Sequence, residues 1–320
     1  MPALFRLPPP KWTLENLHKH LQGLVDLELF TIPFYLAVLY SIKDSTSDAY
    51  QLVQSAVYQE MLHVQLAANV ANAFGCVPKF EPPVYEGQKI PHIDLALDEP
   101  NPAAMFMPFS VEIGPLDQLR LNAMCLIEYP LWSTGRLPDP RQDIDSYGSI
   151  GELYGATGIG MNVLRDQVRG GVNQVDYFGS FYQRFPQPTV SEDGVAGYKQ
   201  ALRLFGLILD QGEGQTQGDA YVSEAHQNTA DGFQNRWPHY EKFTWIRQQP
   251  ALPETYAADA EPGPAGRKAQ ERLVRDFAEF MRTLDTLFSG GTPANFGSLM
   301  AKLGGDVLTC WQNRAVPKFS

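Results

Sequence analysis

Hydrophobic positions recur about every 3.6 residues over long stretches of this chain, which is typical of helices that bury one face. The first such stretch covers residues 13–42, with Thr13 as a candidate N-cap and Pro33 as an expected kink. A polar turn over residues 43–47 separates it from a second stretch, residues 48–74. Two long helices joined by so short a turn predict an antiparallel helical hairpin.

Beyond the hairpin, helical stretches alternate with loops, and the sequence shows no convincing strand pattern. Residues 78–118 are dense in proline and predict a structured crossover without a long helix. Further helices are predicted over residues 115–126, 149–168, 195–210, 219–245, 267–288 and 294–313. We therefore expect an all-α fold with a helical bundle over residues 1–249. A linker rich in Pro, Ala and acidic residues, 250–266, would then lead to C-terminal helices, 267–320, that pack on the bundle.

The composition narrows the class of protein without indicating an activity. The 320 residues carry a net charge of −11, which argues against a nucleic-acid partner because such binders present a basic face. Residues 1–11 lack the apolar core of a signal peptide, and no uninterrupted apolar run approaches the roughly 18 to 20 residues of a membrane span. Three widely spaced cysteines predict no disulfide framework. We expect a cytoplasmic protein without a membrane partner, compatible with a homo-oligomer.

A Glu-x-x-His step in the second helix, formed by Glu60 and His63, is the sharpest chemical signal. Residues three apart share one face of a helix, and this face is otherwise apolar. A carboxylate is costly to bury unless it is paired or bound to a cation. Di-metal carboxylate bundles use an inward step of this kind to ligate metal. The alternative is a solvent-facing pair, or a buried pair satisfied by Asn or Arg.

Glu28 supports the metal interpretation from the first helix. It shares its face with apolar residues such as Leu24 and Ile32, so its carboxylate would also be buried. Counted from the turn, Glu28 lies roughly 17 residues back and Glu60 roughly 15 forward, which places them at similar heights at about 1.5 Å per residue. Two glutamates and a histidine at one level favour a metal site.

The second half of the bundle should supply a matching set of ligands. Glu152 is one candidate, although Ser149-x-x-Glu152 is equally a capping box at the start of a helix. Glu213 is another: with Asp210 it could replace a second Glu-x-x-His step, or it could simply end a helix before a turn. His239 could supply the second imidazole, although a lone histidine among aromatic residues is more often a core or surface residue.

Other polar residues in apolar surroundings have a more ordinary interpretation. Glu128 lies in an apolar stretch, where we expect a structural salt bridge or a backbone cap. Tyr35 and Tyr154 are candidates for proton or electron donors, but packing is the favoured role. The sequence contains no phosphate-binding glycine loop, no Gly-x-Ser-x-Gly elbow and no zinc-like cysteine cluster.

Several short segments occur in order along about residues 14–245. They are Leu27-Glu28-Leu29-Phe30-Thr31-Ile32-Pro33, Gln59-Glu60-Met61-Leu62-His63, Ile127-Glu128-Tyr129-Pro130, Ser149-Ile150-Gly151-Glu152-Leu153-Tyr154, Gln211-Gly212-Glu213-Gly214 and His239-Tyr240-Glu241-Lys242-Phe243. Together they resemble the ferritin-like family related to iminophenyl-pyruvate dimer synthases of bis-indole biosynthesis. The combination is much more specific than any single segment.

The resemblance implies a ferritin-like four-helix bundle with long crossover loops and a C-terminal helical extension. It implies metal-site positions at Glu28, Glu60, His63, Glu152, Glu213 and His239. It also implies a redox role in secondary metabolism. Two features depart from the family pattern. Arg236 stands three residues before His239, where a second Glu-x-x-His step would place an acid, and the chain is far shorter than the multidomain dimer synthases.

We therefore expect an oxidoreductase with two iron or manganese ions, because oxygen-rich ligation with one or two imidazoles suits these metals. It would act with O₂ or peroxide on a small aromatic substrate that enters past the loops 78–118 and 177–194. Two alternatives stay open. The chain could handle iron or peroxide without an organic substrate. It could also be a scaffold with a decayed metal site, whose inward glutamates are neutralised by Arg or Lys.

Overall fold

The computed structural model describes residues 12–97, 103–130, 144–177, 188–212 and 237–320. The regular elements of these residues are helices, which confirms the predicted all-α class. In chain order they are α1 (Leu14–Ser41), α2 (Asp48–Ala73), α3 (Ala103–Phe106), α4 (Gln118–Ile127), α5 (Ile150–Val163), α6 (Gly194–Gly212), α7 (His239–Arg247), α8 (Pro264–Phe288) and α9 (Phe296–Gln312). Short 3-10 helices occur at Leu95–Leu97, Ile144–Ser146 and Arg165–Gln167.

Helices α1 and α2 form the predicted hairpin. Both begin at side-chain caps: Thr13 Oγ1 accepts the Asn16 N–H at 3.1 Å, and Ser47 Oγ accepts the Tyr50 N–H at 3.3 Å. An oxygen at this position satisfies an N–H group that has no partner inside the helix. Helix α1 continues through Pro33 as one element, and the two helices pack extensively against each other.

Most residues of helix α1 are buried. It packs against α2, α5 and α9, and 89% of its most apolar 18-residue window is buried. Among the described helices, α1 is long and apolar enough to cross a membrane by length and composition alone, although the sequence predicted no membrane span. Its burial is that of the core helix of a bundle.

A second group of helices closes the bundle over α2. Helix α2 packs against α6 and α7, and α7 packs in turn against α4. Helix α7 begins at His239 because Pro238 occupies its N-cap, where the helix needs no N–H from the ring nitrogen. Of the helix predicted over 219–245, residues 219–236 lie outside the described residues. The helix predicted over 149–168 ends earlier, at Val163, and a 3-10 turn follows it.

The C-terminal helices α8 and α9 pack on each other and on the bundle. Trp311 of α9 is fully buried and donates its indole N–H to the backbone oxygen of Ala37 in α1 at 2.9 Å. The stretch predicted as a linker, 250–266, runs along the end of α1, where the Tyr256 N–H bonds the Ser41 oxygen at 2.8 Å. One buried apolar cluster extends through the bundle and the C-terminal helices. The division into domains stays a prediction.

The crossover 78–118 is held against α1 by Tyr85. In its described part it contains only the 3-10 turn and the four-residue α3, in agreement with the expected lack of a long helix. The Tyr85 ring stacks on Phe30 and lies nearly parallel to Phe34, with ring centroids 4.7 Å and 6.2 Å apart. Its hydroxyl donates to the backbone oxygen of Phe30 at 2.6 Å. These contacts flank Pro33.

Candidate metal centre

Glu28, Glu60 and His63 converge in the middle of the α1–α2 hairpin, as the residue count from the turn predicted. His63 Nδ1 lies 3.4 Å from Glu28 Oε2 and 3.6 Å from Glu60 Oε2. All three side chains are buried. They meet because Glu60 and His63 lie one turn apart on the face of α2 that packs against α1.

His239, the first residue of α7, completes the cluster. Its Nδ1 lies 2.7 Å from Glu60 Oε1, and its ring is nearly parallel to that of His63, with centroids 5.4 Å apart. Glu60 therefore has one oxygen beside each imidazole. One ligand atom from each of Glu60, His63 and His239 lies within 4.8 Å of the others, a spacing that a shared cation can span.

Glu128, for which we expected a structural salt bridge or a backbone cap, is the C-cap residue of α4 and also belongs to this cluster. It follows the last residue of α4, and its Oε1 lies 3.6 Å from His239 Nδ1. Its Oε2 faces Gly212, where an added Cβ would lie only 3.0 Å from that oxygen. The signal that pointed to Glu128 was an acid inside an apolar stretch. Its place depends on the packing of α4 against α7.

Hydroxyl groups hold the three glutamates in place. Thr31 donates to Glu60 Oε2 at 2.9 Å, one turn along α1 from Glu28. Tyr154 of α5 donates to Glu28 Oε1 at 2.6 Å. Tyr35 of α1 donates to Glu128 Oε1 at 2.7 Å. Each carboxylate thus accepts one O–H group, and its orientation toward the imidazoles is set by a neighbouring helix.

The outer nitrogens of both imidazoles face glutamine side chains. His63 Nε2 lies 2.9 Å from Gln211 Oε1, and His239 Nε2 lies 3.0 Å from Gln59 Oε1. An amide oxygen only accepts, so each ring donates its Nε2–H outward. Metal-ligating histidines are commonly held this way, with the ligand nitrogen on the inner side. Neither glutamine was predicted, because an amide that orients a ring has no characteristic spacing.

Comparison with known proteins identifies the family to which the fold belongs. A model of the ferritin-like family matches residues 21–248. The chain belongs to the ferritin-like family. A crystal structure of a ferritin-like protein from Caulobacter vibrioides is 50% identical in sequence and has a TM-score of 0.87, with 98% of this chain and 100% of that chain covered. No curated protein matches the chain. The closer relation to iminophenyl-pyruvate dimer synthases stays a prediction.

For two of the predicted ligands of this ferritin-like chain, Glu152 and Glu213, the structure describes no contact with His63 or His239. Glu152 takes part in the cap of α5: Ser149 Oγ accepts the Glu152 N–H at 3.1 Å, and Glu152 Oε2 accepts the N–H of Gly148, the residue before the N-cap, at 2.7 Å. Glu213 and Arg236 lie outside the described residues. The ligand roles of Glu152 and Glu213 therefore stay predictions.

The electrostatics of the ferritin-like site favour positive charge between the carboxylates. Burial raises the pKa of Glu28 to about 7, against the effect of His63. Burial also opposes the charge of Glu60, but His63 and His239 outweigh it and hold its pKa below the ordinary value. Burial acts to lower the histidine pKa values, yet Glu60 and Glu28 raise the pKa of His63 to about 10, and Glu128 and Glu60 raise that of His239. The carboxylates therefore attract positive charge, which protons on the imidazoles or a bound cation can supply.

The residues present fit a bound metal. His239 Nδ1 is buried without a well-aligned hydrogen bond, although Glu60 Oε1 lies 2.7 Å away. A buried nitrogen beside a carboxylate oxygen requires a proton or a cation between them. A cavity of about 20 Å³ adjoins the cluster, with Ile208 and Gly212 in its wall, and this is room for one water-sized group. Carboxylate oxygens with two imidazole nitrogens suit iron and manganese.

Proposed function

We propose that this ferritin-like chain binds two iron or manganese ions at Glu28, Glu60, His63, Glu128 and His239, and acts as an oxidoreductase. The position of Glu60 supports this, because its two oxygens lie beside the Nδ1 atoms of two different histidines. A carboxylate so placed can bridge two ions, with one imidazole terminating each. Glu28 lies on the His63 side and Glu128 on the His239 side, so each half has one further carboxylate.

Iron or manganese at this site would supply one-electron redox chemistry toward O₂ or peroxide. The chain itself supplies protons at fixed atoms, because Tyr154 and Tyr35 hold O–H groups on Glu28 and Glu128. A cavity this small leaves no room for an organic molecule beside the ions, so O₂ or peroxide is the size of reactant that the site itself would admit. A small aromatic substrate, which the sequence resemblance implied, is the finer part of the proposal and would bind outside this cavity.

The alternatives differ in what they require of the glutamates. A decayed scaffold would neutralise them with Arg or Lys. In the described ranges, the ion pairs of Glu28, Glu60 and Glu128 are with histidines, which supports a working site. Iron or peroxide handling without an organic substrate is a second candidate, favoured by the small cavity. A homo-oligomeric state stays a prediction.

Elemental analysis of the purified, untagged protein tests the metal proposal. We expect about two Fe or Mn ions per chain after anaerobic reconstitution with Fe(II) or Mn(II). A Glu60→Ala/His63→Ala double variant removes the bridging carboxylate and one imidazole, so it should retain background metal only. Consumption of O₂ or peroxide by the loaded wild-type protein, with and without small aromatic molecules, then separates the two candidate functions.

Glu152→Gln is the matched control. It changes a buried glutamate whose carboxylate accepts a backbone N–H at the start of α5. If capping is its role, the variant keeps the full metal content and loses only part of its stability. Background metal in the wild-type protein after reconstitution would contradict the proposal and leave the scaffold interpretation in front.

A further inference from the structure

An apolar pocket lies between the α1–α2 hairpin and the C-terminal helices. Ile32 of α1 and Val64 of α2 form part of its wall, and Leu284 and Phe288 of α8 form another part. Each of these four side chains is buried. The pocket has a volume of about 20 Å³, equal to that of the cavity beside the candidate metal centre. It therefore has room for one small molecule.

The chemistry of the wall determines what the pocket can hold. The surface that the described residues turn toward it is apolar, and Oε1 of Gln65, which borders the pocket, accepts the N–H of Tyr177 at 2.8 Å. A water molecule is held in a protein interior by about two to four polar partners, whereas apolar cavities stay dry and take up apolar guests such as xenon. Dioxygen is small and apolar, so it suits such a wall. Hydrogen peroxide is polar and needs hydrogen-bond partners, as water does.

The pocket lies at the height of the candidate metal centre. Two of the residues that border it are Ile32, one turn after Glu28 on α1, and Met61, which follows Glu60 on α2. Met61 and Met300 of α9, which also borders the pocket, are partly exposed, whereas Ile32 is buried. The pocket therefore extends from side chains near the surface toward the turn of α1 that follows the first glutamate of the centre.

We propose that this apolar pocket binds dioxygen and holds it beside the candidate metal centre. The inference rests on the proposed function for the use of the dioxygen, but binding in the pocket needs no metal. It also separates the two oxidants that the proposed function leaves open. Dioxygen suits the apolar wall, whereas peroxide suits the other cavity, whose wall includes the carboxylates of Glu28 and Glu60.

The experiment detects dioxygen itself in the metal-free protein. Dioxygen is paramagnetic, so under pressure it speeds the relaxation of nearby methyl groups in the NMR spectrum, and argon at the same pressure is the reference. The δ1-methyl group of Ile32 should relax several-fold faster than that of Ile127 in α4. The two residues are matched in burial, at 3% and 2% exposed, and Ile127 lies outside the pocket. Each signal is identified by its loss in the corresponding Ile→Val variant.

Substitutions on α8 test whether the effect comes from this pocket. Leu284→Phe fills the pocket and should abolish the excess relaxation of Ile32, whereas Leu284→Ala widens it and should increase that excess. Leu273→Ala is the matched control, because Leu273 is a buried leucine of the same helix outside the pocket, and it should leave Ile32 unchanged. Should Leu284→Phe not fold, Val64→Ile fills the same wall by one methylene group.

A second readout tests delivery to the centre. In Fe(II)-loaded protein the iron supplies the electrons, and its oxidation is followed with either dioxygen or hydrogen peroxide as the varied oxidant. Leu284→Phe should raise several-fold the dioxygen concentration that gives half the maximal rate, and should leave the peroxide dependence and the metal content unchanged. An equal effect on both oxidants, or none on dioxygen, would overturn delivery from the pocket.

The outcomes also separate this inference from the proposed function. Excess relaxation of Ile32 that Leu284→Phe removes, in a protein that binds no metal, would support the dioxygen pocket while the proposed function fails. Relaxation of Ile32 no faster than that of Ile127 would overturn the dioxygen pocket, even in a protein that binds two metal ions. The pocket would then be a packing void.

Discussion

Two buried acidic clusters in this chain are neutralised in different ways. In the C-terminal clasp, Asp276 and Asp306 pair with Lys302 and Arg272 between α8 and α9. The two cations keep 46% and 39% of their side chains exposed, so their charges stay hydrated while the carboxylates are buried. In the candidate metal centre, by contrast, the buried glutamates contact histidines and hydroxyl groups.

The partners of the acids decide whether a cluster can bind a metal ion. The Asp276/Asp306 cluster is structural, whereas the glutamate–histidine cluster can exchange its protons for a cation. Lysine and arginine bring their own charge and occupy the place where an ion would bind. A histidine can release its proton, so a cluster of glutamates and histidines can exchange protons for a metal. A buried acid therefore indicates function only when the identity of its partners is known.

The substitution with the largest expected effect tests whether the C-terminal helices α8 and α9 are an integral part of the fold. Trp311→Ala should lower the free energy of unfolding by about 3 to 5 kcal/mol, because it leaves a cavity and removes the bond to Ala37. Urea unfolding followed by circular dichroism measures this. One shifted transition is expected, since the apolar core is continuous. A separate early transition would instead show that residues 267–320 form an independent unit. Metal content should not change.

A matched pair of substitutions tests the two acidic clusters directly. Glu60→Gln should abolish the stabilisation that metal gives to the wild-type protein, which is about 2.7 kcal/mol at a metal concentration of 100 times Kd. The measurement is the shift of the urea midpoint with and without Fe(II) or Mn(II) under anaerobic conditions. An undiminished metal-induced shift in Glu60→Gln would remove Glu60 from the ligand set.

The partner variant is Asp306→Asn in the clasp. It should lower the free energy of unfolding by about 1 to 2 kcal/mol, less than for a fully buried ion pair because Arg272 and Lys302 reach solvent. Its metal-induced stabilisation should equal that of the wild type. Loss of that stabilisation would mean that the two acidic clusters are energetically coupled and do not act independently.

The smallest expected effect concerns a third contact between a histidine and carboxylates. His92 Nδ1 lies 2.7 Å from Asp145 Oδ1, and Nε2 lies 3.5 Å from Asp26 Oδ2. Burial acts to lower the pKa of His92, but Asp26 and Asp145 outweigh it and raise the pKa. Stability from a raised histidine pKa is present below the unfolded value of about 6.5 and is lost as the pH rises through the folded value.

His92→Gln should therefore lower the free energy of unfolding by about 0.5 kcal/mol at pH 5.5, and by much less at pH 9. Urea unfolding at the two pH values measures the difference. An equal loss at both would show that His92 acts through packing alone. Metal content should be unaffected, which would show that the partly exposed contact of His92 with Asp26 and Asp145 is independent of the buried candidate metal centre.

The meeting of the cluster residues of α1 and α2 could be predicted from the sequence because these residues lie in one hairpin. Helical periodicity determines which face carries Glu28, Glu60 and His63, and the short turn determines their relative height. His239 and Glu128 lie on helices whose packing angles no local pattern specifies, so their meeting required the structure. Glu128 was expected to have a structural role for that reason.

Glu152 shows a different limit of sequence interpretation. A helix cap and an inward metal ligand can share the same spacing, so the sequence left both roles open, and in the structure Glu152 Oε2 accepts the Gly148 N–H. The hydrogen bond from Lys242 to Gln59 was not predicted either, because a contact between side chains of two different helices leaves no periodic signal. The all-α fold, by contrast, followed from the long apolar stretches alone.

The contact of Tyr85 with α1 has a mechanical consequence. Pro33 cannot supply the N–H that would bond the backbone oxygen of Leu29, so α1 has its weakest turn just after Glu28. Tyr85 stacks on Phe30 and bonds its backbone oxygen across that turn. The crossover thus supports α1 at the turn where a backbone hydrogen bond is missing. A displacement of Tyr85 would therefore remove two contacts that hold the turn next to Glu28.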